Sequence, residues 1–324
     1  MRTAILVPCF NEEATVAKVV TDFLELDPTL VVYVYDNNST DETAARAAEA
    51  GAVVVREYRK GKGRVVRSMF RDIDADCYII VDGDDTYPAE DALAMRPLVA
   101  DKCADMVIGD RLSSTYAEEN SRAFHEFGNH LVRFLVNSLF NSDLKDIMTG
   151  CRCMSRRFVK TFPVTSAGFE IETEMTIHAL DKAFLVREVP VEYRDRPQGS
   201  ESKLNTFTDG MRVLGMVARL FRDYRPLRFF GVVAAILFVA AIGTFIVPLE
   251  EYLVTGAVAK FPTLIVSVSL GIGAMLAFTC GVLLESIRAH ATHFYELQLT
   301  MYEEYEDLRQ TVDGISAAKS ASSS

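Results

Sequence analysis

The sequence predicts an α/β fold with a doubly wound, mainly parallel sheet, followed by a transmembrane helical hairpin. Two observations lead to this prediction. Apolar strands alternate with helical segments through residues 3–81, a pattern typical of parallel sheets with right-handed crossovers. Residues 229–249 and 261–284 contain no charged side chain, and each run is long enough to cross a bilayer as a helix.

The individual elements of the first domain follow from short apolar runs and the polar residues that flank them. In the segment 113–142, apolar side chains recur at helical spacing, and core packing is their default role. We predict strands at residues 3–7, 31–35, 52–55, 77–81, 105–108 and 186–191. We predict helices at residues 11–26, 44–50 and 63–73, and over most of 113–142.

An acidic turn, DGDDTYP at residues 82–88, comes directly after the buried strand 77–81. Ligands of open α/β sheets bind at the carboxyl edge of the strands, so these carboxylates emerge where a ligand is expected. Asp82 and Asp84 are two residues apart and can share one hard divalent cation, Mg²⁺ or Mn²⁺. A solvated acidic turn is the alternative interpretation, and the buried strand before it favours the metal site.

The sequence contains no glycine fingerprint for a dinucleotide. The GKG at residues 61–63 also lacks the upstream glycine and the following Ser or Thr of a phosphate-binding loop. Asp36 ends the second strand and can accept hydrogen bonds from a base or a ribose. Lys62 lies near a helix N-terminus and can face a phosphate. Each of these two residues also fits an ordinary surface position.

The basic residues predict how the hairpin is oriented. Five arginines between residues 212 and 228 precede the first apolar run and Arg288 follows the second, whereas the connector 250–260 carries only Lys260. Positive residues stay on the cytoplasmic side, so both flanks are expected inside and the connector outside. Two buried core helices are the alternative. The net charge of −11 argues against a nucleic acid partner.

Two segments beside the hairpin have helical patterns of their own. Residues 207–221 combine an apolar stripe with arginines, which favours a helix lying in the membrane interface, with core packing as the alternative. After the second run, apolar side chains spaced by three and four residues predict a short coiled-coil seam, and residues 317–324 predict a disordered end. The seam residues are Phe294, Leu297, Met301, Tyr305 and Leu308.

Taken together, these motifs resemble the family 2 glycosyltransferases, and within them the polyprenyl-phosphate glycosyltransferases of the dolichol-phosphate mannose synthase type. VPCFNEE at 7–13 is similar to the family's opening P-x-x-N-E segment, and DNNSTDET at 36–43 to its nucleotide-binding D-D-G-S-x-D-x-T. DGD at 82–84 corresponds to the family's D-x-D motif. GDR at 109–111 resembles its G-x-R motif, and TGCR at 149–152 resembles its S/T-G-x-R motif. The most specific match is VPVEYRDRPQGSESKL at 189–204, which resembles the V-P-I…R…G-x-S-K-L segment of the polyprenyl-phosphate group.

The resemblance implies a GT-A-like fold and an inverting transfer of one hexose from UDP- or GDP-hexose to polyprenyl phosphate, with undecaprenyl phosphate as the expected form. Together with the apolar and basic patterns above, it divides the chain into a cytoplasmic catalytic domain (1–206), an interfacial helix and linker (207–228), a two-span hairpin in the cell membrane (229–284) and a cytoplasmic tail (285–324) with a disordered end. It also makes a homo-oligomer plausible. A lipid phosphate is already ionised at neutral pH, so the reaction needs cationic guidance more than a general base.

The resemblance also assigns roles to individual residues. It places Mg²⁺ or Mn²⁺ on Asp82 and Asp84, as the D-x-D motif does in the family. The catalytic residues are Asp84, Asp85, Arg111 and Arg152. The nucleotide-sugar-binding residues are Pro8, Asn11, Glu12, Asp36, Asn38, Lys62, Asp82 and Gly83. The acceptor phosphate residues are Arg194, Arg196, Ser202 and Lys203. A carboxylate near the acceptor is either Glu172 or Glu174.

Two departures from the family pattern leave points open. Asn37 and Asn38 replace Asp and Gly in the nucleotide turn, so the donor base is not carried over. Thr86 stands where relatives often have Gln, which leaves the third metal ligand open. A processive polysaccharide synthase is disfavoured because the chain has no Trp. A different acceptor, either a glycolipid or a polysaccharide, stays as an alternative, as does a non-catalytic sugar-nucleotide-binding scaffold.

Overall fold

The computed structural model describes residues 1–113, 123–168, 170–194, 215, 218, 219 and 221–322, without the side chains of residues 123–130, 310 and 313–322. The chain forms two compact units, Met1–Met211 and Arg212–Ser324. Most of the predicted interfacial helix, 207–221, lies outside the described residues.

The first unit is built on a seven-stranded sheet whose strand order is β3-β2-β1-β4-β6-β5-β7. All neighbouring strands are parallel except β6, which runs antiparallel to both β4 and β5. The prediction of a mainly parallel α/β sheet is therefore confirmed. The strands are β1 (Thr3–Cys9), β2 (Val31–Asp36), β3 (Val53–Arg56), β4 (Cys77–Ile80), β5 (Met106–Asp110), β6 (Arg152–Ser155) and β7 (Val186–Pro190).

Helices connect the strands and cover the sheet with apolar faces. In α1 the buried residues are spaced by three and four positions, Val16, Val19, Val20 and Phe23, so one stripe of the helix joins the core. The helices of this unit are α1 (Val16–Leu26), α2 (Thr43–Glu49), α3 (Lys62–Asp72), α4 (Ala89–Ala94), α5 (Arg96–Ala100), α6 (Ala123–Phe140), α7 (Arg156–Thr161) and α8 (Ile171–Asp181).

Strand β6 is absent from the sequence-based prediction, and it shapes the site. Because it runs antiparallel to β4, its first residue, Arg152, pairs with the last residue of β4, Ile80. The residues just before β6 therefore lie beside the residues just after β4. This reversal brings Gly150 against the acidic turn.

The second unit contains two long helices, α9 (Pro226–Thr255) and α10 (Phe261–Ser322). Both are long and apolar enough to cross a membrane, so they are candidate membrane spans by length and composition. Gly256 ends α9 in the left-handed conformation, with φ of 72°. The turn between the helices is thus shorter than the predicted connector 250–260. Helix α10 continues without a break to Ser322, so the predicted disordered end from residue 317 is wrong over residues 317–322.

Candidate active site

The opening segment after β1 and the turn after β2 are joined by hydrogen bonds. The backbone N–H of Asn11 donates to Ser39 Oγ at 2.9 Å, and Asn11 Oδ1 accepts from the backbone N–H of Thr40 at 2.9 Å. The Glu12 N–H donates to Thr43 Oγ1 at 2.9 Å. The two predicted nucleotide-binding segments therefore form one continuous rim at the carboxyl edge of the sheet.

The nucleotide turn itself is held by buried polar contacts. Asp36 is buried at the end of β2, and its Oδ1 accepts from the Ser39 N–H at 3.0 Å. Asn37 Nδ2 donates to the carbonyls of Glu57 and Arg59, and its Oδ1 accepts from the Gly61 N–H at 2.7 Å. Asn38 donates to the carbonyls of residues 57 and 58. The two asparagines that depart from the family pattern thus fasten the segment 57–61 to this turn.

The acidic turn contains one buried and oriented carboxylate, that of Asp84. The hydroxyl of Thr86 donates to Asp84 Oδ1 at 2.6 Å, and both side chains are buried. Gly83 packs against Cys9, because a Cβ at Gly83 would lie 2.5 Å from the Cys9 sulfur. The residue that replaces the family's Gln therefore fixes the rotamer of Asp84.

Lys62 joins two acidic side chains from distant parts of the chain. Its Nζ lies 2.5 Å from Asp82 Oδ1 and 2.7 Å from Glu172 Oε1. Burial disfavours the ammonium charge, but attraction to Asp82 and Glu172 outweighs it and raises the pKa of Lys62. Glu174 points elsewhere and accepts from the N–H groups of residues 165 and 166. Of the two candidate glutamates, Glu172 is the one that lies beside Lys62.

The two glycines around Lys62 serve packing. A Cβ at Gly61 would lie 2.0 Å from the carbonyl oxygen of Ala167, and one at Gly63 would lie 2.3 Å from that of Ser166. The Gly63 N–H also donates to the carbonyl of Gly168 at 3.1 Å. The loop before α8 therefore packs directly against both glycines.

Gly150 leaves the second oxygen of Asp82 uncrowded. A Cβ at this position would lie 2.2 Å from Asp82 Oδ2. The Gly150 N–H donates to the hydroxyl of Tyr87 at 3.2 Å, and the Thr149 hydroxyl donates to the same oxygen at 3.2 Å. Burial raises the pKa of Tyr87, so its hydroxyl stays protonated. A larger residue at 150 would collide with the Asp82 carboxylate.

The two predicted catalytic arginines occupy different environments. Arg111 donates to Asp146 Oδ2 at 2.9 Å and lies over the ring of Tyr193, 5.6 Å from its centroid. Arg152 is fully buried, and its guanidinium donates to the carbonyls of residues 147 and 149 and to Thr176 Oγ1. Burial lowers the pKa of Arg152 to about 10. The predicted catalytic role of Arg152 disagrees with this interior position, because its guanidinium is bonded to protein groups.

Arg194, in the motif at residues 189–204, lies beside the acidic turn. Its backbone N–H donates to the carbonyl of Thr86 at 2.9 Å, and its guanidinium lies 3.7 Å from Asp85 Oδ1. Asp85 has a positive φ of 57° and also pairs with Lys18 at 3.1 Å. The other predicted acceptor-phosphate residues, Arg196, Ser202 and Lys203, lie outside the described residues.

Comparisons with known proteins agree with this architecture. Residues 4–162 match the profile described as Glycosyl transferase family 2. The chain is 34% identical over 228 residues to glycosyltransferase AglJ of Haloferax volcanii, covering 70% of this chain and 74% of AglJ. It is 25% identical over 217 residues to a dolichol-phosphate mannosyltransferase of Pyrococcus furiosus, covering 63% of this chain and 59% of that protein. The chain therefore belongs to glycosyltransferase family 2, and it is a glycosyltransferase.

The fold is also similar to that of a solved enzyme. A structure of glucosyl-3-phosphoglycerate synthase from Mycobacterium tuberculosis with Mn²⁺ and UDP-glucose matches with a TM-score of 0.53 and 21% identity. The match covers 68% of this chain and 78% of that one. At this identity the likeness concerns the fold, and it confirms the GT-A-like α/β architecture.

Proposed function

We propose that the protein transfers one hexose from a nucleoside diphosphate sugar to the phosphate of a polyprenyl phosphate, with inversion at the sugar carbon. The position of Arg194 carries this proposal. Its backbone is bonded to the carbonyl of Thr86, and its guanidinium faces Asp85. A cation from the segment that resembles the polyprenyl-phosphate group thus lies beside the acidic turn, where a phosphate acceptor would meet a donor sugar.

The donor fits the rim formed by the opening segment and the nucleotide turn. Asp36 ends β2 at the carboxyl edge of the sheet, where open α/β folds bind nucleotides. Asn11 and Glu12 are tied to the same turn by hydrogen bonds. The structural neighbour that binds UDP-glucose supports a nucleotide sugar as the donor. In this proposal Pro8, Asn38 and Gly83 complete the rim.

The residues of the acidic turn fit a hard divalent cation. Asp82 and Asp84 offer carboxylate oxygens, and the absence of a Cβ at Gly150 leaves room next to Asp82 Oδ2. Within the described parts of the chain, no cluster of three or more His, Cys, Asp or Glu side chains forms a complete metal site. Substrate phosphates and water would supply the other ligands, as is usual for Mg²⁺. Mn²⁺ in the neighbour's complex supports a cation of this class.

The chemistry needs few protein groups. An ionised phosphate oxygen of the acceptor attacks the sugar carbon from the face opposite the leaving diphosphate. The new carbon–oxygen bond forms as the bond to the diphosphate breaks, and the nucleoside diphosphate carries away the electron pair. Asp82 and Asp84 would hold a divalent cation, which when bound would neutralise the charge that develops on that leaving group. Arg194 orients the acceptor phosphate, and Thr86 keeps Asp84 in place.

Helices α9 and α10 supply the membrane part of the proposal. Both are candidate spans, and their basic flanks support a cytoplasmic location for the two ends of the hairpin. A glycosylation reporter inserted into the turn at residues 257–259 should therefore be modified on the outer side. A reporter that reads cytoplasmic there would contradict the two-span topology.

An acceptor panel tests the proposed function. Purified full-length protein is incubated with Mn²⁺ and a set of UDP- and GDP-hexoses, together with either a short polyprenyl phosphate or 3-phosphoglycerate. We expect glycolipid formation with at least one donor and no product from 3-phosphoglycerate. Transfer to 3-phosphoglycerate alone would replace the lipid acceptor with a small phosphorylated acid. Donor binding without any transfer would favour the scaffold.

A further inference from the structure

The part of helix α10 that follows the apolar run carries an exposed apolar stripe along one side. Its side chains are between 61% and 69% exposed, which is unusual for six large apolar groups on one helix face. Successive side chains of the stripe are three, four and four residues apart, and this pattern then starts again. Such a repeat is close to the 3.6 residues per turn of an α-helix, so the stripe runs nearly straight along the helix. The residues are Phe294, Leu297, Met301, Tyr305, Leu308 and Val312.

The charges around this stripe are distributed unevenly. On the far side of the helix lie Glu296, Glu303 and Asp307, and between residues 294 and 313 Arg309 is the single basic residue in the sequence. Helices that lie on a membrane surface carry Lys and Arg on the polar face, because anionic lipids attract them. An acidic polar face therefore disfavours a lipid surface as the partner of the stripe.

The residues that border the stripe fit a second copy of the same helix. Glu304 borders it on one side, and Arg309, five positions later, borders it on the other. When two such helices run parallel and in register, opposite borders face each other, so Glu304 of each copy meets Arg309 of the other. In an antiparallel pair, like borders face each other, and Glu304 would meet Glu304.

We propose that the stripe Phe294–Val312 is a self-association surface, on which two copies of this chain pair in parallel through helix α10. The stripe extends over about 27 Å of helix, long enough for a short two-stranded coil. Pairing removes the six exposed side chains of each copy from water. It also brings Arg309, which lies 3.7 Å from Glu306 of its own helix, to Glu304 of the other copy, so two symmetric Glu304–Arg309 ion pairs form. The proposal concerns assembly and does not depend on which sugar or acceptor the enzyme uses.

Cysteine cross-linking of the full chain tests the pairing and its direction. The background carries Cys103→Ser and Cys280→Ser, since these are the two exposed cysteines in the described residues. Met301→Cys places a thiol in the middle of the stripe, and Glu303→Cys is the matched control on the opposite face. In oxidised membrane vesicles, we expect Met301→Cys to give roughly tenfold more disulfide-linked dimer than Glu303→Cys, because facing thiols have a high effective concentration.

A charge swap tests the ion pairs independently of any cysteine. Glu304→Arg alone and Arg309→Glu alone should each weaken dimer formation roughly fivefold, measured by mass photometry in detergent, and the double variant should restore it. Equal cross-linking of the two cysteine variants would overturn the proposal. So would linkage of Phe294→Cys to Val312→Cys on co-expression without linkage at Met301→Cys, since that result indicates antiparallel pairing. If Met301→Cys is shielded from a water-soluble maleimide without forming dimers, the stripe lies on lipid and the proposal is wrong.

Discussion

The two units of the chain differ in whether their large apolar side chains are buried or exposed. In the first unit, strand β4 (Cys77–Ile80) is completely buried, and polar groups collect at the edge where the strand ends. In the second unit, large apolar side chains of α9 and α10, such as Val239 and Met275, are more than half exposed. The first unit therefore buries its apolar side chains away from water. The second unit exposes them, as expected of helices that contact lipid.

Charged residues buried in the first unit have bonding partners. Arg152, Asp84 and Lys62 are all largely removed from water, and each has hydrogen-bond or ion-pair partners at short distances. A buried charge without a partner would cost several kcal/mol, so these contacts keep the acidic edge stable. Substitutions at this edge should therefore affect chemistry strongly, while equivalent changes on α9 should not.

The largest expected effect belongs to Asp84→Asn. The amide oxygen can still accept from Thr86, so the fold is preserved, but the neutral group binds a hard cation poorly where charge develops. We expect turnover to fall by about a hundredfold to a thousandfold, measured as glycolipid formed per minute. Asp72→Asn on the surface of α3 is the control and should keep full activity. Full activity of Asp84→Asn, or of chelator-treated enzyme, would remove the metal from the account.

Gly150→Ala should have the next largest effect. The added Cβ would lie 2.2 Å from Asp82 Oδ2, so the carboxylate must move. A misplacement of about 1 Å in the catalytic site can cost about a hundredfold in rate. The matched control is Gly243→Ala on α9, where a Cβ meets no atom within 4 Å. If both variants transfer sugar at the wild-type rate, then the position of Asp82 does not matter for catalysis.

A smaller effect is expected in the stability of the first unit at acidic pH. His178 is buried against Phe158, Phe162 and Phe184, and burial lowers its pKa to about 4 from an ordinary value of 6.5. The unfolded chain therefore binds a proton between these two pKa values while the folded chain does not, and stability falls as pH drops from 6.5 towards 4. Between pH 7 and pH 5 we expect a loss of about 2 kcal/mol from this group.

Hydrogen exchange in strand β4 at the two pH values, with added urea, measures this loss. His178→Phe should make the free energy of unfolding less dependent on pH, because an uncharged ring replaces the titrating one. The control is His290→Phe on α10, an exposed position that should leave the pH dependence unchanged. An unchanged pH dependence in His178→Phe would show that other groups cause the acid sensitivity.

The sequence predicted the regular part of the sheet because its strands are short apolar runs that end in turn residues. It did not reveal β6, whose four residues, Arg152–Ser155, begin with a charged residue and form no apolar run. The direction of a strand depends on pairing with distant residues, here Ile79 with Cys153, and no local pattern records it. For the same reason, Arg152 was predicted as a catalytic residue although it lies in the interior.

In the candidate site, too, some features could be predicted from the sequence and others needed the fold. The motifs predicted the rim and the acidic turn, because each follows a strand, and the family resemblance predicted Arg194. They did not reveal that Lys62 pairs with Asp82 and Glu172, since these three residues come from separate parts of the chain. The different surroundings of Glu172 and Glu174 also became visible only in the fold, because both lie at the start of α8 and only their neighbours distinguish them.

The central claim is that Arg194 serves the acceptor while Asp36 serves the donor. The most direct test measures both ligands in two variants: KM and kcat for polyprenyl phosphate by glycolipid assay, and donor affinity by calorimetry without lipid. We expect Arg194→Ala to lower kcat/KM for the lipid roughly tenfold to a hundredfold and to leave donor affinity unchanged, since a charged phosphate contact is lost. Asp36→Ala should weaken the donor and spare the acceptor. Loss of donor binding in Arg194→Ala, with normal dependence on polyprenyl phosphate, would contradict the account.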